Sequence, residues 1–211
     1  LPAPAQINDV CPVRREDAHL PGNSPWLFAK LYCQASRHTD ILTDLAEMLS
    51  QCDTSPEWWY VPYLDPEPHL RIRIHLPDVD GYGRATRHLG GWATRLRQRG
   101  LLGQMQLDTY YPETGRYGHG AAMTAAEHVF AADSAAALAQ RQIATSTDIQ
   151  AEALAVASLV DLTIAFTGDT AAGMRWLDEH VTRDPAPTHR ALHQAALRLA
   201  DPFHDWASLS A

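Results

Sequence analysis

The sequence predicts an α+β fold, with a small, mostly antiparallel sheet in the N-terminal half and an alanine-rich helical C-terminal half. Two observations carry this prediction. Short segments of alternating apolar and polar residues occur before residue 112, and such alternation is typical of strands. From residue 121 onward the composition shifts to alanine-rich segments, which favour helices.

Strands and helices alternate in the first half. Strands are predicted at residues 26–33, 57–63, 69–76 and 104–111, and helices at residues 38–51 and 81–99. Pro62 places the second strand at a sheet edge or ends it there, because proline cannot donate to a neighbouring strand. Thr39 or Asp40 is expected to cap the first helix, and Gly100 and Gly103 end the second.

Glycine and proline separate the remaining segments. Residues 112–120, PETGRYGHG, are predicted to be irregular because Pro112 and three glycines interrupt them. Breaks are also predicted at Gly168–Asp169 and at Asp184–Pro187. Helices are therefore predicted near residues 121–131, 133–143, 147–166, 169–181 and 186–199.

The size and charge of the chain limit its function classes. The 211 residues suit a single domain, predicted over residues 26–205 after an extended proline-rich lead-in at residues 1–25. The formal net charge of −8 disfavours a general nucleic-acid binder. No apolar run approaches the ~20 residues that cross a bilayer and no secretory signal is visible, so a cytoplasmic location is expected. The three cysteines, Cys11, Cys33 and Cys52, predict neither a disulfide framework nor a zinc site.

The strand at residues 69–76 carries the first candidate site. Its sequence, HLRIRIHL, places His69, Arg71, Arg73 and His75 on one face and four aliphatic side chains on the other. Two guanidinium groups at this short spacing repel each other unless an anion lies between them. Each guanidinium is planar and can donate two parallel hydrogen bonds to a carboxylate. An anion-binding pair is one interpretation of this pattern, and a solvated sheet face is the other.

The glycine-rich segment at residues 112–120 carries the second candidate site. Glu113 and Arg116 share one turn, where glycines allow the backbone to approach a ligand closely. The two side chains could act on a substrate or form a surface ion pair. Tyr110 and Tyr117 flank this turn and could serve either as core residues or as site residues.

The last predicted helix carries the third candidate site. His189 and His193 are spaced i and i+4, which can bind zinc, but the glutamate of the H-E-x-x-H motif is missing. A single His193 that transfers protons near neutral pH is a second interpretation, and an ordinary helix residue is a third.

Six segments recur in this order in one known family. They are WLFAKLYC at 26–33, DILTDLAEML at 40–49, WWYVPYLDPEPHLRIRIH at 58–75, DTYYPETGRYGHGAAM at 108–123, AEHVFAADS at 126–134 and ALHQAALRL at 191–199. With them the chain resembles the thiopeptide-type bacteriocin biosynthesis domain, which is also the C-terminal elimination domain of lantibiotic dehydratases. The resemblance runs from about residue 26 to about residue 200.

The resemblance implies roles for five residues. In the elimination domains the two arginines of HLRIR contact a glutamyl group esterified to serine or threonine, and they match Arg71 and Arg73. Glu113 and Arg116 match two further residues of that site. His193 matches the histidine proposed to transfer protons, which stands in an H-x-x-x-N-R-L helix motif.

Other positions complete the expected site or depart from the family. Leu197 stands where that helix motif has asparagine. Tyr117 is expected to assist Glu113 and His193 in acid–base chemistry. Arg116 is expected to act beside these catalytic residues by stabilising negative charge on the substrate. Tyr110 and His69 are expected to help Arg71 and Arg73 bind the substrate. No metal or organic cofactor is expected.

The resemblance leaves several functions open. A full lantibiotic dehydratase also needs a large glutamylation domain that uses glutamyl-tRNA, which 211 residues are not expected to contain. A thiopeptide pyridine synthase joins two dehydroalanines of a modified peptide in a formal [4+2] aza-cycloaddition, then loses water and the leader peptide. A stand-alone enzyme that eliminates glutamate from glutamylated serine is the alternative. A further alternative is an inactive binding module that only presents the peptide to a partner.

Different features of the chain favour the pyridine synthase and the eliminating enzyme. The compact chain and Leu197 favour the pyridine synthase, while the retained arginines, glutamate and histidine suit elimination. The expected partner is a ribosomally made, azole-containing precursor peptide with its leader. Neither nucleic acid nor membrane is an expected partner.

Overall fold

The computed structural model describes residues 15–52, 55–182 and 189–201. Most of the predicted lead-in, residues 1–14, and the predicted break at Asp184–Pro187 lie outside this part of the chain. The α+β class is confirmed, because the described residues form a four-stranded antiparallel sheet in the first half and helices in the second.

The chain divides into two compact units, residues 1–138 and residues 139–211. The single domain predicted over residues 26–205 stays a prediction. The elements follow in the order β1 (Trp26–Tyr32), α1 (His38–Ser50), β2 (Trp58–Tyr63), β3 (His69–His75), α2 (Tyr82–Gln98), β4 (Gln104–Leu107), α3 (Thr114–Tyr117), α4 (Ala121–Ser146), α5 (Ala151–Thr167), α6 (Thr170–His180) and α7 (Arg190–Leu199).

The sheet has the strand order β2-β3-β1-β4, and every neighbouring pair is antiparallel. β2 is an edge strand, which confirms the prediction made from Pro62. The register pairs Arg73 of β3 with Phe28 of β1 and with Trp59 of β2. Side chains alternate along a strand, so these three residues lie on the same face of the sheet. We call it the arginine face.

The opposite face of the sheet packs against α1 and α2. Alternate residues of β1 and β3 meet the apolar stripes of both helices, and their burial forms the main core. The fully buried members of this core include Leu27, Leu31, Ile41, Leu42, Leu45, Leu70, Ile72, Trp92 and Leu96. The indole Nε1 of Trp92 donates a hydrogen bond of 2.8 Å to Asp44, which satisfies the polar atom of this buried ring.

The arginine face has its own smaller apolar cluster. Trp26, Phe28, Trp59 and Tyr110 are buried together, and Phe130 of α4 packs against them. α4 also contacts the edge strand, since the Ser134 hydroxyl accepts a hydrogen bond of 3.2 Å from the backbone N–H of Tyr60. This helix therefore runs beside β2 and borders the arginine face.

The helix cap and the fourth strand differ from the predictions. α1 begins directly after a 3₁₀ turn at Ala35–Arg37, so Thr39 and Asp40 lie inside the helix and the N-cap makes no side-chain hydrogen bond. β4 ends at Leu107 instead of residue 111. Tyr110 leaves the sheet and pairs with His19 through two backbone hydrogen bonds of 2.8 and 3.0 Å.

Two predicted breaks are also wrong. Residues 112–120 contain the single-turn helix α3, because Pro112 precedes the turn and Gly118, at φ +89°, follows it. The separate helices predicted at 121–131 and 133–143 form one helix, α4, because no glycine or proline lies between them.

The break at Gly168–Asp169 is confirmed. Gly168 has a φ of +85°, which favours glycine, and the Asp169 carboxylate accepts a hydrogen bond of 2.8 Å from the backbone N–H of Ala172. Within the second unit Ala153, Leu154 and Ala157 of α5 form a small core with Leu199 of α7. Among the described residues no single helix is long and apolar enough to cross a membrane. α5 and α6 reach that length only as a pair, and the chain bends by 116° between them.

Candidate functional site

Arg73 lies in a box of aromatic rings, here called the aromatic box and formed by Phe28, Trp59 and Tyr110. Its guanidinium carbon is 4.2 Å from the centre of the Trp59 ring, 4.5 Å from that of Phe28 and 5.4 Å from that of Tyr110. The three electron-rich faces attract the cation. Only 9% of Arg73 is exposed, so the solvated sheet face considered from the sequence does not describe this residue.

The buried guanidinium of Arg73 keeps two hydrogen-bond donors unused. Its Nε and Nη1 atoms are buried and have no hydrogen-bond partner among the described residues. Burial lowers the pKa of Arg73 to about 10, so the group remains a cation at neutral pH. A buried cation with unused donors costs free energy, and an anion or a polarised carbonyl oxygen would relieve that cost. The arrangement is suited to holding negative charge.

Arg71 lies beside Arg73 on the same face in a more accessible position. It is half-buried, and its Nε donates a hydrogen bond of 3.1 Å to Nε2 of His69. Its guanidinium carbon is 3.4 Å from the centre of the Tyr63 ring, so the cation also lies against an aromatic surface. The sheet therefore brings the two predicted arginines together, each against aromatic rings of a neighbouring strand.

His69 is the most deeply buried of the predicted substrate-binding residues, with 1% of its surface exposed. Its Nδ1 lies 2.7 Å from the carbonyl oxygen of Glu67. Its ring lies 5.0 Å from that of Tyr32 and 5.7 Å from that of Tyr63, measured between ring centres. His69 thus contacts Arg71 and two tyrosines from within the sheet.

Tyr110 is also buried, with 2% of its surface exposed. Its hydroxyl group and the carboxyl group of Glu127 share a hydrogen bond of 2.6 Å. Burial, reinforced by Glu127, raises the pKa of Tyr110 far above its ordinary value, so the phenol stays protonated. Burial also raises the pKa of the Glu127 carboxyl. Tyr110 therefore forms a wall of the aromatic box, and Glu127 holds it there.

Glu127 was missed by the sequence reasoning, although a signal for it exists. Met123, Glu127, Ser134 and Leu138 are the buried residues of α4, and their spacing follows one helix face. A glutamate on the buried face of an alanine-rich helix requires a polar partner, because an unpaired buried carboxylate is costly. Tyr110 is that partner.

The turn at α3 places Glu113 and Arg116 next to each other at the surface. Their side chains are 66% and 72% exposed and form an ion pair of 3.6 Å. Burial dominates the pKa shifts of Arg73 and Tyr110, and the negative charge of Glu113 contributes to both. Glu113 therefore acts electrostatically on the aromatic box without a direct hydrogen bond to it.

Tyr117 lies at the edge of the same cluster. Its ring is 5.1 Å from that of Phe130 in an edge-to-face arrangement, and Phe130 lies 5.0 Å from Trp59 of the aromatic box. The guanidinium carbon of Arg116 is 5.3 Å from the Tyr117 ring centre. Tyr117 is half-buried.

The arginine face carries an ion pair that was also missed by the sequence reasoning. Lys30 lies opposite Arg71 in the β1–β3 register, and its Nζ is 2.5 Å from the Asp108 carboxylate. Burial acts to raise the pKa of Asp108, but hydrogen bonds from Lys30 and the Thr109 N–H outweigh it and lower the pKa. Asp108 therefore compensates the charge of Lys30, and the positive charge of Arg71 also contributes to lowering the Asp108 pKa.

The first unit alone assembles most of the predicted site. It brings together Arg71, Arg73, His69, Tyr110, Glu113, Arg116 and Tyr117. His193 lies on α7 in the second unit and is exposed, as is Leu197, four residues further along the helix. Its role stays a prediction. In the described part of the chain no three His, Cys, Asp or Glu side chains are grouped so as to hold a metal ion.

Known proteins support the resemblance across nearly the whole chain. The family described as lantibiotic biosynthesis dehydratase C-term matches residues 26–208. Subtilin biosynthesis protein SpaB of Bacillus subtilis is 34% identical over 112 residues, which are 52% of this chain and 11% of that protein. Nisin biosynthesis protein NisB of Lactococcus lactis subsp. lactis is 30% identical over 124 residues, which are 57% of this chain and 12% of that protein.

A solved structure agrees with these sequence matches. The crystal structure of the tRNA dependent lantibiotic dehydratase MibB from Microbispora sp. 107891 aligns with a TM-score of 0.57 at 26% identity. The alignment covers 66% of this chain and 14% of that one, so the chain spans a small fraction of these relatives. The matches confirm the resemblance found in the sequence, and the chain belongs to the lantibiotic dehydratase C-terminal family.

Proposed function

We propose that this chain is an enzyme that modifies a ribosomally made peptide while its leader is attached, and that it acts as a thiopeptide pyridine synthase. One observation carries the proposal that the chain modifies such a peptide. Arg73 is a buried cation whose Nε and Nη1 have no hydrogen-bond partner in the described part of the chain, and it stands beside the more accessible Arg71. Such donors are suited to negative charge that develops on a substrate oxygen, because they act where water is excluded.

The reaction begins with a proton transfer within the peptide. One dehydroalanine must react as the imidic acid of its amide, so a proton leaves the amide nitrogen and another reaches the oxygen. Glu113 and Tyr117 are the candidate acid–base groups of the first unit, and His193 is that of the second. Arg71, Arg73 and Arg116 stabilise charge on the oxygen during this transfer.

Two carbon–carbon bonds then form between the four-atom imidic-acid component and the second dehydroalanine. Loss of one water and of the leader as its amide gives the aromatic pyridine. Both departures need a proton donor, a role for which His193 is the candidate. Holding the two alkenes together contributes several kcal/mol, up to about 7–11 kcal/mol for ideally placed groups.

Leu197 favours cyclisation over elimination. It stands where the family's helix motif has asparagine, and it is 61% exposed on α7, four residues after His193. An apolar side chain cannot supply the hydrogen bonds of an amide. The surroundings of the proton-transfer histidine therefore differ from those of an elimination domain.

Glutamate elimination is the second candidate function. The relatives named above are biosynthesis proteins for subtilin and nisin and a tRNA dependent dehydratase. In this scheme Arg71 and Arg73 bind the carboxylate of the departing glutamate, a base removes the α-proton, and dehydroalanine results. The scheme uses the same arginines, so the two reactions are separated by their substrates.

Two peptides test the proposal. The first is a leader-bearing azole peptide with two dehydroalanines, and the second is the same scaffold with a glutamylated serine. Mass spectrometry after incubation with the purified protein should detect a released leader amide and a cyclised core from the first. Loss of glutamate from the second alone would instead establish elimination. If neither peptide changes while both bind, the chain is a non-catalytic peptide-binding module.

The proposed setting follows from the proposed substrate. The partner is an azole-containing precursor peptide made on the ribosome, so we propose that the reaction takes place in the cytoplasm. The arginines are the shared element of both reactions. Arg71→Ala should therefore lower the rate with whichever peptide the wild-type protein converts, and an unchanged rate would remove Arg71 from the site.

A further inference from the structure

The hydrogen bonds of His69 define its chemical state. A backbone carbonyl can only accept, so the Nδ1 atom that lies 2.7 Å from the Glu67 oxygen must carry the proton. The Nε–H of Arg71 can only donate, so the Nε2 atom that lies 3.1 Å from it must be unprotonated. The two contacts together require the neutral imidazole with its proton on Nδ1.

The position of His69 prevents the ring from turning away from Arg71. Only 1% of the residue is exposed, and its ring lies between those of Tyr32 and Tyr63. Tyr63 also lies against the guanidinium of Arg71, at 3.4 Å from its central carbon. The same tyrosine therefore packs against both partners of the hydrogen bond.

We propose that His69 is a positioning residue, which acts on the substrate through Arg71 and does not touch it. The ring accepts from Nε of Arg71, and Tyr63 covers one face of the guanidinium. His69 contacts only Nε of Arg71, so the terminal nitrogens Nη1 and Nη2 are left for the substrate. The two contacts fix the orientation of these nitrogens. This role differs from the substrate contact predicted for His69 from the sequence, and it rests on the proposed function of Arg71.

Fixing Arg71 in this way reduces the freedom that the side chain would lose when a substrate oxygen binds. An arginine side chain is among those with the most rotamer freedom. A group that is already oriented gives a faster reaction than one that must first be ordered. Losing the acceptor should therefore lower kcat/KM by about tenfold to a hundredfold, the range of one hydrogen bond to a charged group.

Two variants of similar size separate the two hydrogen bonds of His69. Glutamine can reach the position of Nε2 with its amide oxygen and accept from Arg71. Asparagine reaches only the position of Nδ1, so it can donate to Glu67 and leaves Arg71 unpaired. His69→Gln should therefore retain about tenfold more kcat/KM than His69→Asn. Equal losses in the two variants, at equal thermal stability, would overturn the proposal.

A double-mutant cycle distinguishes positioning from a general structural role. The cycle uses His69→Asn, Arg71→Ala and the double variant, assayed with the two peptides described above. If His69 acts through Arg71, His69→Asn should lower the rate in the wild-type background and cause no further loss once Arg71 is alanine. A further loss of the same size in both backgrounds would contradict the inference.

Nitrogen NMR tests the same contacts without any substrate. In ¹⁵N-labelled protein the long-range spectrum of His69 should contain a protonated Nδ1 and an unprotonated Nε2 at neutral pH. The Nε–H of Arg71 should exchange slowly with water in the wild type and quickly in His69→Asn. A His69 that is doubly protonated, or protonated on Nε2, would refute the inference. A wild type inactive on both peptides with these NMR results intact would refute only the proposed function.

Discussion

Replacing Arg73 by methionine should make the protein more stable and inactive. Burial lowers the pKa of Arg73 from 12.5 to about 10, and a difference of one in pKa corresponds to about 1.36 kcal/mol. The folded state therefore carries about 3 kcal/mol of unfavourable free energy for keeping this group charged. The two nearest rings, those of Trp59 and Phe28, return about 2 kcal/mol of that cost, at about 1 kcal/mol for each ring.

Methionine fills a similar volume and makes favourable sulfur–aromatic contacts. The net gain in the free energy of unfolding should be about 1 kcal/mol, measured by urea denaturation. Arg84→Met is the matched control, because Arg84 is exposed on α2 and should change stability by less than about 0.5 kcal/mol. Activity should fall by at least about a hundredfold. A loss of more than 1 kcal/mol in Arg73→Met alone would contradict the cost assigned to the buried charge, and activity within about tenfold of the wild type would refute the assignment of Arg73 to substrate binding.

Three further predictions concern stability. Tyr110→Phe should destabilise the protein by about 1–3 kcal/mol in urea, since it leaves the buried Glu127 carboxyl without its partner; an unchanged midpoint would contradict this. The pKa of Asp108 is lower in the folded state than its ordinary 3.8, so its contribution is present above that pH and lost as the pH falls through the folded pKa. Asp108→Asn should therefore reduce the acid-induced loss of stability below pH 3.8, and an identical acid titration would argue against the pair with Lys30. Gly173→Ala should destabilise the second unit by about 1–3 kcal/mol, because its Cβ would lie 3.0 Å from the Ile164 backbone, whereas Gly90→Ala, in open space, should be neutral or stabilising in thermal unfolding.

Local patterns predicted the strands and most helices well. HLRIRIHL alternates because one face of β3 packs on α1 and α2, and this two-residue period is visible without any tertiary information. Local rules failed where contacts with a neighbouring segment changed the end of an element. Thr39 and Asp40 do not cap α1 because a 3₁₀ turn precedes the helix, and Tyr110 leaves β4 to pair with His19.

The candidate site was less predictable, because its properties depend on contacts between side chains of different elements. The alternation placed Arg73 on the correct face, but its burial depends on rings from β1, β2 and the segment after β4. Glu127 is linked to the site by its hydrogen bond with Tyr110, which lies 17 residues away in sequence. The roles assigned to Glu113, Arg116 and His193 came from the family resemblance, since the residue patterns alone favoured a surface ion pair for the first two and an ordinary helix residue for the third.

Pyridine formation by this protein is best tested by the mass balance of one reaction. The purified protein is incubated with the leader-bearing azole peptide that contains two dehydroalanines, and all products are weighed by mass spectrometry. A pyridine synthase should give a leader amide and a pyridine-containing core whose masses, with one water, sum to that of the starting peptide. An unchanged starting peptide, under conditions in which the glutamylated peptide loses its glutamate, would contradict it.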